Sequence, residues 1–207
     1  MCKLVVVTNR TLCRGDFLEQ IHAICLAGAD KIILREKDLS EESYESLAEK
    51  VVSVCGNYNT ELVLHQNISV AKRLGVKKIH LSVPGLVEHS EQLAGFEQIG
   101  VSVHSMQQLE TAKKYGASYV FYGHVFQTDC KKGVPPRGLL ALHEICEQAS
   151  FPVYAIGGIS PDNATEALEA GADGVCVMSW GMQQSEEAIR EFIERIKGCK
   201  LYKQRKI

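Results

Sequence analysis

Eight times along the chain a short run of β-branched or apolar residues gives way to a segment with helical periodicity, and nothing else limits the possible folds as sharply. The runs fall at 4–8, 31–34, 61–64, 77–81, 98–103, 118–122, 152–156 and 174–178. Each is nearly continuous in hydrophobicity rather than alternating. That pattern is expected when helices cover both faces of a parallel sheet. The intervening segments carry helix-end signals. Ser40 precedes Glu41 and Glu42 and an apolar stripe from Tyr44 to Cys55, and Ser105 and Gln108 stand at capping-box spacing. Ser160 and Pro161 read as N-cap and first helical residue of a seventh helix, and Ser185 opens an eighth that buries Ile189, Phe192, Ile193 and Ile196.

An internal echo reinforces this division. The segments "GADKIIL", "GVKKIHL", "GASYVFY" and "GADGVCV" share one grammar, a helix-ending glycine, a small or β-branched residue and then a strand. They open the second, fourth, sixth and eighth strands. No Pro/Ser-rich linker or charge block divides the chain, which argues for one domain over 1–207 with a basic tail from about 198. Eight βα units in 207 residues predict an α/β single-domain (β/α)8 TIM barrel. An open doubly wound sheet would carry a G-x-G-x-x-G turn after strand 1, where "NRTLCRGD" stands instead.

In a barrel, chemistry gathers at the C-terminal ends of the strands. Those ends carry Thr8 to Arg10, Arg35 to Lys37, His65 and Gln66, His80 and Ser82, Ser102 and His104, and Gly123 and His124. The N-terminal ends show no comparable cluster. The last two strands end in "IGGIS" and "VMSWG", glycine-rich stretches of the kind that bind phosphate through backbone N–H groups. Gly157, Gly158, Met178 and Ser179 are therefore expected at a phosphate, the alternative being that the two glycines serve only a tight turn. "LREK" brings Arg35, Glu36 and Lys37 together, either to hold a carboxylate or second phosphate with Glu36 orienting the cations, or as a salt-bridged rim. Thr128, Lys131 and Lys132 lie in a Gly-bounded loop long enough to act as a lid. His124 directly follows Gly123 at a strand end and ranks first among the histidines. His80 is expected to point into the barrel wall, and His22, His89 and His143 fall in helical segments.

A net charge of −2 gives no sign of nucleic-acid or membrane partners, and no apolar run approaches the ~20 residues of a membrane span. The eight cysteines have no C-x-x-C or zinc spacing, so a reduced, cytoplasmic setting is expected, with no metal and no cofactor.

Five stretches, "ILREKDLS", "IGVSVHS", "YVFYGHVFQTDCKKG", "PVYAIGGISPDN" and "GADGVCVMS", follow in order the motifs of the thiamine phosphate synthase/TenI superfamily, which the chain resembles over almost its whole length. The resemblance implies a (β/α)8 barrel acting on a phosphorylated thiazole. The synthase branch joins a pyrimidine pyrophosphate to the thiazole phosphate with Mg²⁺, held by an Asp of "N-D-R" after strand 3 and an Asp of "H-L-G-Q-x-D" after strand 4. Here His65 and Gln66 stand at the first, and Gly85 or its neighbours at the second. Ile33 replaces the Gln before "LREK", and His124 and Cys130 replace a Pro and a Thr of the strand 6 motif.

Read against those departures, the chain is similar to the TenI branch, thiazole tautomerases that aromatise a carboxythiazole ethyl phosphate by a metal-independent proton shift. That resemblance implies His124 as the acid/base residue, with Arg35, Lys37 or Lys131 on the carboxylate and Ser102, Thr128, Gly157, Gly158, Met178 and Ser179 around the ligand. The expected partner is a phosphorylated thiazole, with no thiamine phosphate made at a useful rate and possible homo-oligomerisation. Two alternatives stand beside it, a thiamine phosphate synthase and a non-catalytic binder of thiazole or thiamine phosphate.

Overall fold

The computed structural model describes residues 2–131 and 133–199. Met1, Lys132 and the tail residues Lys200, Lys203, Arg205 and Lys206 lie outside the described residues. Eight parallel strands close a barrel in sequence order: β1 (Lys3–Val7), β2 (Lys31–Leu34), β3 (Glu61–His65), β4 (Lys78–Ser82), β5 (Gln98–Val103), β6 (Tyr119–Gly123), β7 (Val153–Ile156) and β8 (Gly174–Val177). Around it run α1 (Phe17–Leu26), α2 (Glu41–Cys55), α3 (Ile68–Arg73), α4 (Val83–Glu88), α5 (Met106–Lys114), α6 (Gly138–Gln148), α7 (Ala164–Glu169) and α8 (Glu186–Lys197). This is the single-domain (β/α)8 barrel that the alternation of patterns requires, and every strand lies within a residue of its expected place.

The sequence makes these elements by ordinary means. Asp16, Ser40, Ser82, Ser105 and Ser185 each accept backbone N–H bonds as N-caps of α1, α2, α4, α5 and α8. The four repeat glycines, Gly28, Gly75, Gly116 and Gly171, all have positive φ, as the shared grammar demands. Two caps differ from expectation. Gln108 Oε1 accepts from His104 N at 2.7 Å, one residue earlier than a capping box would have it. Ser160 and Pro161 do not begin α7, since a turn occupies 161–163 and the helix starts at Ala164 with Asn163 as its N-cap.

Because side chains alternate across each strand, the barrel has two cores. Leu4, Val6, Ile32, Leu34, Leu64, Val101, Val103 and Val120 face outward under the helices. Val5, Val7, Ile33, Val63, Tyr119, Phe121, Tyr154 and Cys176 fill the lumen. Gly100 makes room for the rings there, because a Cβ at that position would stand 2.1 Å from Tyr119 Cζ and 2.5 Å from His80 Nδ1.

The lumen is closed at its N-terminal end by polar residues, contrary to expectation. Lys31 is only 3% exposed; its Nζ pairs with Glu61 and donates to Gln98 Oε1 at 2.8 Å, and Lys78 lies 3.3 Å from the same carboxylate. These four are the first residues of β2 to β5, so parallel register stacks them into one plug. Burial holds the Lys31 amine down to about 8, with Lys3 and Lys78 adding in the same direction.

Candidate active site

At the opposite, C-terminal end a pocket of about 570 Å³ opens. Arg35, Lys37, Ser102, His124, Thr128, Lys131, Gly157, Gly158, Met178 and Ser179, the residues singled out from the sequence, all line it. So do His65, Gln66, His80, Ser82 and His104.

The floor is a buried polar thread. His80, 1% exposed, lies at Nε2 2.8 Å from Ser102 Oγ and at Nδ1 3.3 Å from Tyr119 OH. It lies in the lumen, within 4.2 Å (centroid to centroid) of the Phe121 ring, and so does not point into the wall as expected. Burial, with His65 adjacent, keeps it neutral, so one ring nitrogen donates and the other accepts. Above it His65 is also held neutral, pushed down to about 3 by burial and then by Arg35 and Lys37. Tyr44 fixes the backbone there, its hydroxyl donating to Leu34 O at 2.7 Å and accepting from His65 N at 3.2 Å. This residue was readable only as part of the apolar stripe of α2.

The β2 end differs from the sequence reading in one respect. Glu36 is buried and turned toward β1, where it accepts from Thr8 Oγ1 at 2.6 Å, from Arg10 N at 3.0 Å and from Arg10 Nη1 at 3.3 Å. It therefore orients Arg10, which also reaches Asp38, rather than Arg35 and Lys37. Neither of those cations has an ion-pair partner among the described residues. The Lys37 amine is held below its ordinary value by Arg35, by burial and by Lys131, and all three residues line the pocket. Lys131 comes from the segment after β6. Among the described lining residues Asp129 is the one acid.

On the β6–β8 side the loops interlock. A Cβ at Gly157 would stand 2.2 Å from His124 Cβ, and one at Gly158 would stand 2.4 Å from Gln127 O; both have positive φ. The glycines thus let the β7 loop lie against the β6 loop, with Phe126 N donating to Gly157 O at 3.0 Å. His124 Nε2 donates to Val134 O at 3.2 Å, and Arg137 Nε and His104 Nδ1 both donate to Gly123 O, at 3.0 and 2.6 Å. His124 consequently ties down the segment that carries Thr128 and Lys131.

Where β3 and β4 end, the chain offers no carboxylate. Gln66 has φ of 68°, a left-handed conformation in which Asp and Asn are enriched and Gln is not. A Cβ built on Gly85 would lie 2.9 Å from Gln66 Oε1 and 3.3 Å from Ser82 Oγ. A side chain at position 85 would therefore need the end of the Gln66 amide to move aside.

Residues 4–180 match the family model described as thiamine monophosphate synthase. The thiamine-phosphate synthase of Clostridium novyi is 34% identical, covering 86% of this chain and 89% of its own length. That of Pyrococcus abyssi is 32% identical over 95% of this chain and 97% of its own. The solved thiamine phosphate pyrophosphorylase of Pyrococcus furiosus superposes with a TM-score of 0.83 at 29% identity, covering 94% and 95% of the two chains.

These findings overturn the tautomerase reading. The relatives carry the synthase name across nearly their whole length, and the isomerase expectation rested on His124 and a few motif departures. In the structure His124 Nε2 donates to the Val134 carbonyl at 3.2 Å. The matched barrel, the mouth at its C-terminal end and these relatives lead to one statement: the chain belongs to the thiamine monophosphate synthase family, a family of enzymes of thiamine biosynthesis that bind phosphorylated small molecules.

Proposed function

We propose that the chain is a thiamine-phosphate synthase, joining a pyrimidine pyrophosphate to a thiazole phosphate. In that transfer the carbon–oxygen bond to pyrophosphate breaks, with its electron pair, as a bond from the thiazole ring nitrogen to the same carbon forms. The observation that carries this reading is a pocket with two anion-binding ends. Arg35 and Lys37 after β2, joined by Lys131, make a cationic end suited to pyrophosphate. Gly157, Gly158 and Ser179, with Met178 beside them, make a backbone-lined end suited to the thiazole phosphate. The volume of about 570 Å³ falls within the ~300–1,000 Å³ common for small-ligand pockets. Ser102 and Thr128 supply neutral polar contacts between the ends, and His124 positions the β6 loop.

The Mg²⁺ that the synthase motifs imply does not fit these residues. Hard dications take oxygen ligands, chiefly carboxylates. The two positions concerned hold an amide and a glycine, and no group of three His, Cys, Asp or Glu among the described residues could hold a metal ion. That same observation favours a second reading, a barrel that binds both ligands without joining them.

Calorimetric titration of thiazole phosphate, followed by pyrimidine pyrophosphate into the saturated protein, tests the two-ended pocket. The proposal expects the second ligand to bind beside the first. Mutual exclusion would overturn it, and joint binding without product would leave the binder.

A further inference from the structure

The β3 and β4 ends disagree with the metal-dependent chemistry of the synthase motifs in a specific way. A Cβ at Gly85 would stand 2.9 Å from Gln66 Oε1, so a side chain there displaces the end of the Gln66 amide, and neither position supplies a carboxylate. The backbone at Gln66 is already left-handed, a shape that an aspartate holds with less strain than a glutamine. The positive charge of the mouth, meanwhile, is supplied by side chains, Arg35, Lys37 and Lys131 against Asp129. Three cations line the same mouth, and Arg35 offers a planar fork for two phosphate oxygens.

We infer that this chain binds a pyrophosphate group at Arg35, Lys37 and Lys131 without a divalent cation, the amide of Gln66 and the bare backbone of Gly85 standing where such a cation's carboxylates would be. The inference rests on the proposed transferase for its choice of anion. A free Mg²⁺ ion in this setting competes with the protein for pyrophosphate oxygens, since nothing at β3 or β4 anchors it between the two. Replacing Gln66 and Gly85 together by aspartate adds two negative charges beside the anion and supplies the oxygen ligands a divalent ion needs. Either replacement alone supplies only one of the two carboxylates.

The test is calorimetric titration of inorganic pyrophosphate into the full chain, once in EDTA and once in excess Mg²⁺. Binding in EDTA with no tightening by Mg²⁺ is the expected result, with Lys37→Met weakening it about tenfold or more. The Gln66→Asp/Gly85→Asp variant should lose about tenfold in EDTA and recover with Mg²⁺. Wild-type binding that appears only with Mg²⁺, or no binding in either buffer, overturns the inference. Because the readout is binding, it separates from the transferase itself. Coupling together with pyrophosphate binding that needs Mg²⁺ would keep the proposed function and sink this inference, whereas metal-free binding without coupling would do the reverse.

Discussion

Replacing His65 by asparagine should remove about 2 kcal/mol of the stability that the protein loses on going from pH 7 to pH 5. The magnitude follows from the imidazole at the end of β3, pushed down to about 3 by burial and secondarily by Arg35 and Lys37. In the unfolded chain the same group titrates near 6.5. Between those values the unfolded state binds a proton that the folded state does not, so stability falls as pH falls below about 6.5. Nearly all unfolded His65 is protonated at pH 5, and nearly none in the folded chain; the linkage integral over that interval gives about 2 kcal/mol. The assay is urea unfolding of wild type and His65→Asn at both pH values, the difference of differences cancelling the carboxylates common to both. Because burial is the first cause, Lys37→Met should recover only a small part of the loss. Equal losses for wild type and His65→Asn would refute the reasoning, showing that the imidazole charges in place. His80 should act in the same direction, being fully buried and held neutral by burial.

Two further outcomes follow from packing and from the loop geometry. Gly100→Ala should destabilise by ~1–3 kcal/mol, since its Cβ would overlap the Tyr119 ring at 2.1 Å, and Tyr119→Leu in the same chain should restore part of the loss in thermal unfolding. His124→Asn should raise KM by ~2–10-fold with a smaller change in kcat, the size of one net hydrogen bond holding the β6 loop. A collapse of kcat with KM unchanged would instead put His124 in the chemical step.

The barrel was legible because each strand had to be buried on both faces and each repeat glycine had to adopt positive φ, constraints that act locally and leave marks in composition. The mouth was legible for the same reason, since strand ends fix where Arg35, Ser102, His124 and Ser179 emerge. What adjacency decides was harder to read. Glu36 belongs to Arg10 because β1 and β2 pair in parallel, a relation between residues 26 positions apart. The plug of Lys31, Glu61, Lys78 and Gln98 had a signal, a polar residue opening four successive strands, whose meaning depends on barrel closure. Ser160 followed by Pro161 looked like a helix start, yet Asn163 closes a turn first, its Oδ1 accepting from Ser160 N at 2.9 Å. The reaction differs from the expected one because the departures at Gln66, Gly85, His124 and Cys130 were weighed above the similarity of the whole chain to the synthases.

The most direct test of the transferase is single-turnover mixing of the purified chain with pyrimidine pyrophosphate and thiazole phosphate, following thiamine phosphate and released pyrophosphate together. The account predicts that both products appear in equal amounts, that they appear in EDTA as in Mg²⁺, and that Lys37→Met slows them. Absence of both products in either buffer, with both ligands bound, would contradict it.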